Sequence, residues 1–245
     1  MHARRRVVAA CALAAISGLC LTGMAAKAQS LSVMPVNIFL APGQSATTLT
    51  VTNQGTTKTA VQIRAFGWNQ QGDSDQLSAS DAVVVSPPIA SIEPGSSEVV
   101  RLILRQAPHG REDTYRIIVD QIPPPAEPGI VHLVLRLSIP IFAVPATRAF
   151  PQVQFHLESA DGQLMLVGSN GGLRHEAVRD IEIQTSDGRK LKAAAGSSPY
   201  VLAGSTRHWS VPVEGPLPAP GDSMMLTGHS DAGAIKEQIR VVATH

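Results

Sequence analysis

Val131, Leu133, Leu135, Leu137, Ile139 and Ile141 are all aliphatic, and between them stand His132, Val134, Arg136, Ser138 and Pro140. A period of two places the aliphatic set on one face of an extended strand and excludes a helix over this stretch. Pro140 narrows the choice further. It has no N–H to give to a ladder, so the strand belongs at a sheet edge or at a crossing between sheets. A long apolar edge is an aggregation hazard that proteins normally blunt. A chain that keeps one has a use for it, and docking of another chain's strand is one such use.

The rest of the sequence has the same grammar in shorter pieces. Thr47-Thr48-Leu49-Thr50-Val51-Thr52 ends at the turn signal Asn53-Gln54-Gly55. Val61, Ile63 and Ala65 alternate with Gln62, Arg64 and Phe66. Residues 97–105 follow the turn Glu93-Pro94-Gly95, and residues 115–122 follow a polar loop at 107–114. Residues 131–144 make the longest such run. No stretch holds a helical period, and many short strands between turn signals predict a sandwich rather than a parallel α/β sheet. Leu31 and Val33 share one parity, but after Pro35 the apolar set moves to Val36, Ile38 and Leu40. That shift predicts a strand that crosses from one sheet to the other.

Two prolines, Pro145 and Pro151, mark a break after the longest run. Beyond it residues 152–157, 164–167, 178–184, 209–213, 224–227 and 235–242 are strand candidates, with Asp187-Gly188 as a hairpin turn. The predicted domains are residues 29–146 and 151–245, with no strict sequence repeat between them. Arg4, Arg5 and Arg6, the small apolar stretch after them and Ala26-Lys27-Ala28 read as a secretory signal peptide over residues 1–28 rather than a membrane anchor. Loss of Arg4, Arg5, Arg6 and Lys27 would turn the formal charge of +1 into −3. It would also remove Cys11 and Cys20, the two cysteines of the chain. Thiol chemistry and nucleic-acid binding are thereby excluded, the latter for want of excess positive charge. No later run is long and apolar enough to span a bilayer, so the expectation is a protein of the periplasm that is not embedded in the membrane.

Signals of catalysis are poor. The histidines are scattered, no G-x-S-x-G elbow exists, and Asp73 and Asp75 lack the rest of a calcium loop. Gly168-Ser169-Asn170-Gly171-Gly172 lacks the lysine and helix of a phosphate loop. Met224 and Met225 read as core. No enzyme activity, metal or cofactor is expected.

In order along the chain, Leu40-Ala41-Pro42-Gly43 leads into Leu49-Thr50-Val51-Thr52-Asn53. Arg64-Ala65-Phe66-Gly67-Trp68, Val85-Ser86-Pro87-Pro88-Ile89, Ile92-Glu93-Pro94-Gly95 and Val99-Val100-Arg101-Leu102 follow. Tyr115-Arg116-Ile117-Ile118-Val119-Asp120-Gln121-Ile122-Pro123 and Leu135-Arg136-Leu137-Ser138-Ile139-Pro140-Ile141-Phe142 complete the set. This ordered set resembles the PapD-like periplasmic chaperones of the chaperone–usher pathway. The last motif is most similar to their archaic branch, which also serves spore-coat-U-type subunits. The second half matches only in size and β grammar.

The resemblance implies an all-β protein of two immunoglobulin-like β-sandwich domains at an angle, with a cleft between them. It implies a chaperone for a pilin-like subunit whose own sandwich lacks a strand, and an outer-membrane usher as second partner. Carried over by position, the lending residues are Val131, Leu133, Leu135 and Leu137, with Ile139 nearer the cleft. Self-association of the free protein fits the same edge. In well-known members an arginine and a lysine grip the subunit's C-terminal carboxylate. Here those places hold Asn37 or Ile38, and Pro140. Arg116, Arg101 and Arg136 are the remaining candidates, with Arg116 preferred. Arg101 has an alternative reading as the ion-pair partner of Asp120. Two competing functions use the same fold: an exported structural or adhesive protein without strand donation, and a periplasmic hydrolase or sugar-binding protein. Aromatics at 4% leave the last few stacking platforms.

Overall fold

A computed structural model of the chain describes residues 31–72, 74–125, 128–129, 132–160, 162–194, 196 and 198–243. The expected signal peptide over 1–28, and Val131 at the head of the lending row, lie outside the described residues. Within them every regular element is a strand. The first ten are β1 (Leu31–Met34), β2 (Ile38–Leu40), β3 (Ala46–Asn53), β4 (Thr59–Gln71), β5 (Ser74–Ala79), β6 (Val83–Ser86), β7 (Ile89–Ile92), β8 (Ser97–Leu104), β9 (Asp113–Ile122) and β10 (Arg136–Ala143). The rest are β11 (Val153–Ala160), β12 (Gln163–Asn170), β13 (Glu176–Gln184), β14 (Lys190–Lys192), β15 (Tyr200–Val201), β16 (Thr206–Val211), β17 (Ser223–Ser230) and β18 (Gly233–Ala243).

The first ten strands make two sheets. One runs β1-β3-β8-β6; the other runs β2-β10-β9-β4-β5, with β7 also on β4. Alternation decides which side chains fill the space between them. Leu49 and Val51 of β3 and Val100 and Leu102 of β8 meet Ile63, Ile117, Ile139 and Ile141 from the opposite sheet in one buried cluster. The parity shift at Pro35 is the expected crossing. β1 pairs antiparallel with β3 in the first sheet, and β2 pairs parallel with β10 in the second.

The later strands form one continuous path, β14-β13-β17-β18-β11-β12-β16, with β15 on β13. β18 joins its two halves: residues 233–240 pair with β17, while Val241–Ala243 pair parallel with β11. The halves face each other, because Leu157, Leu166 and Trp209 from one side share a buried cluster with Ile183, Leu226 and Ile239 from the other. This is the second sandwich. The hairpin at Asp187-Gly188 is present, with Gly188 at φ 87° in the left-handed region and Gln184 opposite Lys190.

Two expected strands have different lengths. β4 is the longest, at 13 residues, and carries on past Phe66 through Gly67 and Trp68. β10 begins only at Arg136, not at 131. Its partner β9 ends at Ile122, and Pro123, Pro124 and Pro125 follow without a single N–H to extend the ladder.

The two halves share a hydrogen-bond unit that identity along the sequence does not reveal. Asn53 closes β3, and its side-chain amide donates to Thr57 O at 2.8 Å and Ile92 O at 3.0 Å, while Gly55 N–H donates to its Oδ1 at 2.9 Å. Asn170 closes β12 and does the same with Arg174 O at 2.7 Å, Val201 O at 3.0 Å and Gly172 N–H at 2.9 Å; Gln152 N–H adds a fourth bond at 3.0 Å. The backbones repeat as well. Gly95 N–H donates to Asn53 O and Gly204 N–H to Asn170 O, each at 2.8 Å. Both glycines have φ near +70°, at 70° and 75°. Both asparagines are buried, so their side chains take the place that water or a further strand would fill.

Candidate functional site

β10 has β9 along its whole length on one side, but β2 meets it only at Ile141, Phe142 and Ala143 on the other. Arg136 to Pro140 therefore present an open edge. Gln121 N–H donates to Leu135 O at 2.9 Å, and Leu135 N–H donates to the Gln121 side chain at 3.2 Å. With Arg136 opposite Asp120, this phase turns the odd-numbered backbone groups toward β9 and the even-numbered ones outward. Pro140 is even-numbered. Its missing N–H falls on the outward side and costs the β9 ladder nothing.

The odd-numbered side chains divide into two sets. Ile139 and Ile141 are 2% and 0% exposed and fill their own domain's core. Leu137 is half-buried against that core, Leu135 is 39% exposed and Leu133 is 89% exposed. Ile139, expected to take part in lending, is thus already committed to its own sandwich. Leu133 and Leu135 run out beyond it, with Val134 exposed beside them.

The arginines separate as clearly. Asp120 is held by Arg64 Nη2 at 2.6 Å and Arg136 Nε at 2.5 Å. Arg101 is not its partner: it lies on β8 in the opposite sheet, exposed and facing away from β10. The strand register that brings Gln62 and Arg136 to either side of Asp120 leaves Arg101 a whole sandwich away. Arg136 stays at the open edge. Arg116, opposite Pro140 in register, turns across β4. Its guanidinium carbon sits 3.7 Å from the centre of the Trp68 ring, and Nη2 is 3.5 Å from Asp75 Oδ2. Burial pushes the Arg116 guanidinium below its ordinary value, partly offset by the Asp75 charge.

Burial raises the Asp120 carboxyl, but hydrogen bonds and charge from Arg136 and Arg64 outweigh it and hold the group below its ordinary value. A depressed carboxylate stabilises the fold above its unfolded pKa of about 4 and loses that contribution as pH falls through the folded value. The melting difference between wild type and Arg136→Gln is therefore expected to be full at pH 7 and to shrink as the pH falls through the folded value. Melting curves of the two proteins across that range check it.

Arg116 lies beside the junction of the two domains. Trp68, Phe142, Ala177, Tyr200 and Leu202 form a separate buried cluster drawn from both. The His175 ring stacks on Phe142 with centroids 3.5 Å apart and planes at 14°, and Trp68 meets Tyr200 edge-on at 5.7 Å. Glu112 accepts from the backbone N–H of His175 at 2.9 Å and lies 2.6 Å from its Nδ1. Arg174 Nε lies 3.6 Å from the other carboxylate oxygen. Gln70 accepts from Leu202 N–H at 2.9 Å and donates to Tyr200 O at 2.9 Å. Asn37, at the place of the missing arginine, accepts from the Tyr200 hydroxyl at 3.0 Å, and Ile38 is buried. Those two positions are structural here. Glu112→Ala would strand the His175 donors in a dry site, so a loss of about 3 kcal/mol is expected. Limited proteolysis of the 145–151 linker, faster in the variant, checks it.

Among the described residues no group of three or more His, Cys, Asp or Glu is placed to hold a metal. Among the same residues no helix is long and apolar enough to cross a membrane. Sequence reading missed the aromatic junction and the Glu112–His175 pair, because their members come from distant segments with no motif of their own.

Residues 30–149 match the family model for pili and flagellar-assembly chaperones, PapD N-terminal domain. The chaperone protein FimB/FhaD of Bordetella pertussis is 28% identical over 134 residues, 52% of this chain and 54% of the relative, so the match spans about half the relative's length. The CsuC–CsuE chaperone–tip subunit pre-assembly complex from archaic Csu pili of Acinetobacter baumannii contains a chain of TM-score 0.63 and 25% identity, covering 88% of this chain and 100% of that one. The complex of SafA pilin with the SafB chaperone of Salmonella enterica shows the same fold, with TM-score 0.59 at 16% identity, covering 89% of this chain and 98% of that one. Residues 30–149 are thus an N-terminal domain of the PapD-like pilus-assembly chaperones.

Proposed function

We propose that this protein is a non-catalytic chaperone without cofactor. It captures a pilin-like or spore-coat-U-like subunit by lending it the open edge of β10, and passes it to an outer-membrane usher. The observation that carries the reading is the edge itself: outward backbone groups from Arg136 to Ser138, and Leu133 and Leu135 exposed in one row. A subunit short of one strand would pair with those backbone groups and bury that row. Each fully buried aliphatic side chain contributes about 1.5–3 kcal/mol before ordering costs. The resemblance to chaperones solved with a tip subunit and with a pilin supports the kind of client. Arg116, opposite Pro140 and close to the cleft, is the cation that would anchor the subunit's C-terminal carboxylate. Export by residues 1–28, action in the periplasm, division into domains at residues 146–151, and pairing of free molecules through the same edge complete the proposal.

The test is native mass spectrometry of the tagged protein purified from its own periplasm. The expected result is a one-to-one complex with a small β-rich subunit that becomes insoluble when the chaperone is absent. A monomer without bound chain, under conditions where pili are made, would overturn the reading.

A further inference from the structure

Asp75 lies between two guanidinium groups from different domains, one buried and one mostly so. Arg116 of the first is 12% exposed along its side chain, and Arg207 of the second is 5% exposed. Arg207 Nη1 lies 3.3 Å from Asp75 Oδ1, and Arg116 Nη2 lies 3.5 Å from Oδ2. Arg207 Nε is buried and makes no hydrogen bond. One carboxylate thus serves two desolvated cations, and at distances longer than the 2.7–2.9 Å of a close charge-assisted bond. Asp120, also between two arginines, is held at 2.6 and 2.5 Å. The Asp75 arrangement is looser, and Arg207 Nε leaves donor capacity unused.

The third tie on Asp75 leads to the domain junction. Gln70 Nε2 donates to Asp75 Oδ1 at 3.0 Å and to Tyr200 O at 2.9 Å. Trp68 underlies Arg116, and Trp68 belongs to the same aromatic cluster as Tyr200. Whatever carboxylate Arg116 holds is therefore felt across the junction.

We infer that Asp75 is an internal stand-in for the client's carboxylate: in the free chaperone it neutralises Arg116, with Arg207 tethering it from the second domain, and an arriving client carboxylate displaces it. The inference rests on the reading of Arg116 as the client's anchor. Asp75 then works against retention. It lowers affinity for the client, keeps the empty cleft from holding an unpaired cation, and returns to Arg116 as the client leaves.

The experiment uses the chaperone–client complex recovered by the purification above, and follows transfer of the client to a differently tagged wild-type chaperone. Asp75→Asn removes the competing charge at constant size and is expected to slow the transfer about tenfold. Asp75→Glu keeps the charge and is expected to transfer near the wild-type rate. Transfer of the Asp75→Asn complex at the wild-type rate or faster overturns the inference, as does equal slowing in Asp75→Glu, which would mark a purely structural effect. Arg116→Gln separates the two layers. Loss of client capture upholds the anchor, leaving the Asp75 variants to decide the inference, whereas normal capture by Arg116→Gln overturns the anchor and the inference with it.

Discussion

A Leu135→Glu chaperone is expected to fold as the wild type does and to capture no subunit. Leu135 is 39% exposed in the free protein, so a glutamate there faces water and the melting temperature stays within about 2 °C. In the proposed complex the same position enters an apolar groove. The variant loses the aliphatic burial, about 1.5–3 kcal/mol, and must place an unpaired charge in a dry site, about 3–5 kcal/mol more. Together these weaken capture by roughly a thousandfold or more. Ile139 is two positions along on the same face and gives the opposite separation. It is 2% exposed in its own core, so Ile139→Ala is expected to cost about 2–5 kcal/mol of stability. Melting curves and client co-purification, run on both variants, check the pair. Normal capture by Leu135→Glu would show that the edge is not lent.

The second large effect is expected at Asn170. Its side chain makes four hydrogen bonds to backbone groups of Gln152, Gly172, Arg174 and Val201, three of them repeated by Asn53 in the other domain. Alanine leaves two N–H groups and two carbonyls without these partners, and no nearby strand can move in to serve them. At about 1 kcal/mol or more for each, Asn170→Ala should cost roughly 4 kcal/mol, out of a domain stability of the order of 5–15 kcal/mol. Trp209 is 4% exposed inside the second core and Trp68 lies at the junction, so fluorescence during urea unfolding reads the affected domain. A midpoint unchanged from wild type would mean that water replaces the side chain without loss.

What the sequence made legible follows from how local each signal is. Parity along a strand needs only neighbouring residues, and it gave the crossing at Pro35; the edge character of Pro140 follows as locally, from its missing N–H. A hairpin such as Asp187-Gly188 is also local. The length of β10 was less so, because it depends on where β9 loses its donors, at Pro123. The partner of Asp120 needs the register of three strands, and Arg64 stands 56 residues from it. The junction depends on the packing of two sandwiches, and nothing within the window around Phe142 or His175 announces that their rings will stack. The asparagine units were hidden for another reason. Asn53-Gln54-Gly55 and Asn170-Gly171-Gly172 look like ordinary turns, and only their shared bonds to Ile92 and Val201 reveal them as one device used twice.

The segment from Leu133 through β10 is clamped at one end and lightly held at the other. Ile139 to Ala143 are held between the core, β2 and, through Phe142, the second domain; Leu133 to Leu135, just ahead of the strand, lack those three supports, and Leu135 is tied to β9 through Gln121. Mechanically this is a cantilever. A strand docking on it meets the least resistance at the tip and the most at the root. A partner should therefore zip on toward Pro140 and peel away in reverse, with the register fixed at the end that cannot bend.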